Sequence, residues 1–142
     1  MSRMPFFMLA GLTFGAAMLF ASDSTSTVTI HMKKTSPADG KAMYASYCTP
    51  CHGVDGRGHG KLSTSLKTPP PDISALSRNH GGVFPEQQVV GVLSHGASLS
   101  GHNKPGMPDW GQTLGNMEPN DKLNTTLRIH NLMSYVETMQ AK

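Results

Sequence analysis

Between Ser36 and Cys48, Gly40, Met43, Tyr44, Tyr47 and Cys48 recur at i, i+3, i+4, i+7 and i+8, the spacing of one helical face. Ser36 as N-cap, Pro37 at the first helical position and Asp39 three residues past the cap, as a capping box, mark the start of this helix. It would carry Cys48 to the core side. A second helix is expected in "FPEQQVVGVLSHG", with Pro85 at its first position, Glu86 in the first turn, Val89, Val92 and Leu93 inward, and Gly96 past its end. The last helix is expected from near Pro119 toward Gln140, with Ile129, Leu132, Met133, Val136 and Met139 as its stripe and Tyr135 at its flank. No alternating run of strand length with hairpin turns appears elsewhere, so the expected class is all-α, with short helices and long loops.

The N-terminal end reads differently. Residues 1–22 hold Arg3 followed by "MPFFMLAGLTFGAAMLFA", uncharged until Asp23, which has the layout of a secretory signal. The apolar run, residues 4–20, is about 17 residues long, at the short edge of the roughly 17–25 that span a bilayer, so an uncleaved membrane anchor is the alternative. Residues 23–35 are rich in Ser and Thr and aperiodic, a flexible linker, or else an edge strand through Val28 and Ile30. Residues 36–142 form the single domain that a chain of 142 residues can build.

The formal charge is +3. Without the leader, eleven Lys and Arg stand against nine Asp and Glu, scattered from Lys33 to Lys142 with no stripe and no aromatic interleaving. Nucleic-acid binding has no footprint here.

The chain's two cysteines, Cys48 and Cys51, stand in "YCTPCHG", directly before His52. A disulfide across a two-residue gap would remove little chain entropy. A thioredoxin-like pair wants a βαβ context, and here the flanks are helix, then glycine loop. Zinc wants a second pair of ligands at short spacing, whereas the histidines are separated by six or more intervening residues. Cys-x-x-Cys-His is the attachment signature of c-type haem: the thiols add across two vinyl groups and the adjacent imidazole ligates the iron. A haem would also complete the small apolar core of a loop-rich chain.

The loops fit that chemistry. Glycines 53, 56, 58 and 60 permit turns and close approach to a flat ligand, and the stretch lacks the Gly-Lys-Ser/Thr ending of a nucleotide loop. "TPPPDIS", with Pro69, Pro70 and Pro71, is either a stiff segment across one side of the site or a surface turn. The second axial ligand decides the chemistry, because methionine closes the iron and raises its potential while an open position admits small ligands. Met43, Met133 and Met139 fall on helical stripes. Met107 lies between Pro105 and Pro108 in "NKPGMPDWG", where a stiffened loop can aim it, and it is the expected ligand; Met117, His95, His102 and an open site are the alternatives. Trp110, a large aromatic in a small domain, is more often a core residue.

Together, "CTPCHG", "DGRGHG", "PPPDI", "GMPDWG" and "LMSYVETM" make the region from Ser36 to Lys142 similar to class I monohaem c-type cytochromes of bacterial type. The resemblance implies three to four short helices around one covalently bound haem c. It implies thioether bonds at Cys48 and Cys51, iron ligation by His52 and Met107, and packing of Gly40 and Tyr44 against Tyr135. It also implies that a proline carbonyl, assigned here to Pro70 from the run Pro69–Pro71, accepts a hydrogen bond from the far nitrogen of His52, and that Trp110 lies at the haem. The expected function is one-electron transfer between redox protein partners in the periplasm, not enzymatic catalysis. A membrane-anchored subunit of a respiratory or dehydrogenase complex is the alternative, and a gas-binding or catalytic haem protein the third reading.

Overall fold

A computed structural model describes residues 32–96 and 107–141. The leader, the edge strand considered through Val28 and Ile30, and His102 lie outside the described residues. The first helical body is continuous from α1 (Gly40–Met43) through a π-helical turn (Tyr44–Cys48) into α2 (Thr49–His52). Short 3-10 turns follow at Ser63–Ser65 and Ile73–Ala75, then α3 (Leu76–Asn79), α4 (Glu86–His95), α5 (Trp110–Met117) and α6 (Lys122–Thr138). No strand occurs among the described residues, and no described helix is long and apolar enough to cross a membrane.

Aspartates set the helix starts. Asp39, Asp109 and Asp121 each accept the backbone N–H three residues on, from Ala42 at 2.8 Å, Gln112 at 2.9 Å and Asn124 at 3.0 Å. Such caps satisfy donors that the first turn leaves without partners. The expected capping box at Ser36 is therefore corrected: Asp39 is the cap, and Pro37 and Ala38 form the turn before it. The last helix starts at Lys122 rather than near Pro119, because the side chain of Asp121 takes the cap. Pro85 likewise is the residue before α4, not its first.

The spine of the molecule is α6, which packs against α1, α4 and α5. At its crossing with α1, a Cβ on Gly40 would fall on the carbonyl oxygen of Asn131, so only glycine permits this approach. Tyr44 and Tyr135 pack beside the crossing with ring centroids 5.4 Å apart, and the Tyr44 hydroxyl donates to the Gly53 carbonyl at 2.8 Å. Met43, Tyr44, Tyr47 and Cys48 on one side and Ile129, Leu132, Met133 and Val136 on the other are buried, as their periodicity predicts.

The helix α5 is not legible in the sequence, since Gly111 and Gly115 lower its helical propensity. The same glycine explains its position: a Cβ on Gly111 would meet the carbonyl oxygen of Ser94 in α4. Trp110 and Leu114 are its buried residues, and Trp110 stacks on Tyr47 at 5.8 Å.

Candidate haem site

The π turn and α2 bring Tyr47, Cys48, Cys51 and His52 to one wall of a cavity of about 390 Å³, within the range of cofactor sites. The π turn is closed by the Thr49 N–H bonding the Tyr44 carbonyl, an i to i+5 bond. The glycine loop then folds back on the helix end. N–H groups of Leu62, Gly60 and Gly58 donate to the carbonyls of Pro50, Cys51 and His52 at 2.8, 3.0 and 2.8 Å. These are the carbonyls that a helix C-terminus leaves unpaired. The turn needs Gly53, Gly56 and Gly58 at positive φ, and a Cβ on Gly60 would strike the Pro50 carbonyl oxygen. Backbone contacts therefore fix the Cys-x-x-Cys-His stretch.

Pro69, Pro70, Pro71, Ile73 and Leu76 also line the cavity, so the proline run borders the site and is more than a surface turn. Val89, Val92 and Leu93 of α4 and Leu132 and Val136 of α6 complete its apolar lining.

Cys48 is buried, Cys51 is half-buried, and the two thiols are free rather than joined. Burial, with a smaller contribution from neighbouring Cys51, pushes the Cys48 thiol up to about 12. A protonated, buried thiol is a poor thiolate ligand and slow in disulfide exchange. Among the described residues no three His, Cys, Asp or Glu side chains gather into a metal site of their own.

His52 is 9 % exposed, and its Nδ1 is sealed from solvent with no hydrogen-bond partner. Burial holds its pKa below the ordinary value, opposed in part by the Pro71 carbonyl. That carbonyl lies near enough to favour the charged ring without meeting Nδ1 in hydrogen-bond geometry. The carbonyl of Pro70, the residue expected in this role, stands against Gly58 and would meet a Cβ there. The imidazole is thus neutral, and it lines the cavity.

Met107, Pro108 and Trp110 line the same cavity. Met117 does not: its Sδ lies 3.9 Å from the Tyr47 hydroxyl. His95, exposed at the end of α4, does not line the cavity either. His80 does, and sequence reasoning missed it. Its Nδ1 lies 2.8 Å from the Leu76 carbonyl and its Nε2 3.0 Å from Gln88 Oε1, so both ring nitrogens are engaged. The i to i+4 separation of Leu76 and His80 was the only signal available for it.

The residues present fit a haem: two protonated thiols at the attachment spacing, a neutral imidazole whose buried nitrogen lacks a partner, a thioether, and an apolar cavity between them. A family model described as cytochrome C oxidase, cbb3-type, subunit III matches residues 35–122, more than half of the chain, including Cys48, Cys51, His52 and Met107. No curated protein and no solved structure matches the chain. The chain belongs to this family of monohaem c-type cytochromes, all-helical domains that transfer electrons through a c-type haem.

Proposed function

We propose that this protein is an exported one-electron carrier that docks transiently to a redox donor and acceptor in the periplasm. One observation carries the reading: both thiols, the His52 ring and Met107 line a single apolar cavity. When bound, the haem supplies an iron that exchanges one electron without bond making or breaking. Cys48 and Cys51 would hold the group by thioether bonds, so that it could not dissociate. His52 at the end of α2, its Nδ1 held away from water, would ligate the iron, and the nearby Pro71 carbonyl could then orient the ring and raise its basicity. Met107, which also lines the cavity, would supply its Sδ as the second ligand and so close the iron to small molecules. The stacked Tyr47 and Trp110, with Val89 and Val92 of α4, give the cavity an apolar lining.

The matching experiment is intact mass of the exported protein after acid and organic extraction. A single haem retained in the wild type and lost from the Cys48→Ser/Cys51→Ser variant is expected. Haem that washes out of the wild type would refute covalent attachment.

A second reading has support of its own. The matched family is described as an oxidase subunit, and residues 4–20 are long enough for a short anchor. On that reading the domain is a tethered subunit of a respiratory complex. Recovery in membranes with residues 1–22 retained in the intact mass supports the tether; a soluble protein lacking them supports the carrier.

A further inference from the structure

One turn before the cavity-lining Leu132, α6 carries Arg128, whose side chain is buried at 1 % exposure. Its Nη1 lies 3.5 Å from Thr35 Oγ1 and 3.9 Å from Met43 Sδ, while Nε and Nη2 have no hydrogen-bond partner among the described residues. The acid beside it is Glu118, just past α5. Its Oε1 is 3.5 Å from Arg128 Nη2 but 2.9 Å from Lys34 Nζ, and its Oε2 is buried without a partner. The hydrogen bond from Lys34 holds the Glu118 carboxyl below its ordinary range, so it is ionised at neutral pH.

Two cations thus share one carboxylate, and the closer contact goes to Lys34, whose side chain is 65 % exposed. The buried guanidinium is left incompletely neutralised, an arrangement that is costly to fold. It stands one side-chain layer behind the cavity: Tyr47, whose ring lines the cavity, meets the same Thr35 Oγ1 at 2.8 Å.

When one electron enters the bound haem from a donor, the iron loses one unit of positive charge. A fixed cation nearby, in surroundings of low dielectric, therefore favours the reduced form. We propose that Arg128 is a charge-tuning residue that raises the reduction potential of the haem. Glu118 opposes it, and Lys34, on the segment entering the domain, draws that carboxylate away. This inference rests on the haem reading above.

The test is spectroelectrochemical titration of full-length holoprotein variants at neutral pH. Arg128→Met lowers the midpoint, Glu118→Gln raises it, and Arg128→Lys, which keeps the charge, stays near the wild type. The two neutralising variants move in opposite directions, and the differences persist at high salt because burial limits screening. A purely structural role would loosen the same corner in both variants and shift them the same way. Shifts of one sign, or none, overturn the proposal. If Arg128→Met does not mature, Glu118→Gln decides: an unchanged or lowered midpoint overturns it. A wild type without acid-stable haem would instead overturn the haem reading itself.

Discussion

At His52 the fold seals one ring nitrogen away from water and keeps the imidazole neutral, which suits iron ligation better than proton exchange. Tyr44 does complementary work, tying the helix to the turn after His52 through its bond to the Gly53 carbonyl. Tyr44→Phe leaves that carbonyl without its buried donor and is expected to cost about 1–3 kcal/mol, read from a urea midpoint. Burial first, then neighbouring Cys48, Asp55 and Tyr135, raise the Tyr44 pKa in the folded state. The folded protein therefore holds this proton more tightly than the unfolded chain does. Its contribution is full below the unfolded value of about 10 and is lost as pH rises beyond it, so Tyr44→Phe should show a flatter alkaline decline in stability. The grouping of Cys48, Cys51 and His52 at one cavity was legible in the sequence because the three lie within one short motif. Pro71 was not distinguishable from Pro70, since consecutive prolines differ only in where the fold turns each carbonyl. Arg128 was also hidden, for a cation within a helical stripe gives no sign that it will be buried.

Among the elements, the crossings of α1 with α6 and of α5 with α4 depend on backbone approach at Gly40 and Gly111. Gly40→Ala and Gly111→Ala each force a Cβ onto a carbonyl oxygen and should destabilise by about 1–3 kcal/mol in denaturant unfolding. Asp121→Ala, which removes only a cap from α6, is expected to cost about 0.5–2 kcal/mol in the same assay. A Gly111→Ala variant as stable as the wild type would mean that α5 does not sit against Ser94 as described. The stripes of the first and last helices were readable from apolar periodicity alone. The α5 helix was not, because the glycine that lets it pack also weakens its local signal, and the π turn leaves the spacing of Met43, Tyr44, Tyr47 and Cys48 unchanged.

For the whole molecule, the buried Tyr47, Cys48, Leu93, Trp110, Leu132 and Val136 line the cavity, so a bound haem would complete this side of the core and stabilise the fold. The Cys48→Ser/Cys51→Ser variant is therefore expected to lose cooperative thermal unfolding as followed by far-UV circular dichroism. An unchanged sharp transition would show that the helices pack without the group. On the proposed function, one haem would be held between His52 and Met107 with no open position at its iron. The most direct test is the optical spectrum of the dithionite-reduced protein before and after carbon monoxide. Unshifted bands in the wild type and in Met117→Ala, with a prompt shift in Met107→Ala, are expected; a prompt shift in the wild type would contradict a closed iron and place ligand binding ahead of electron transfer.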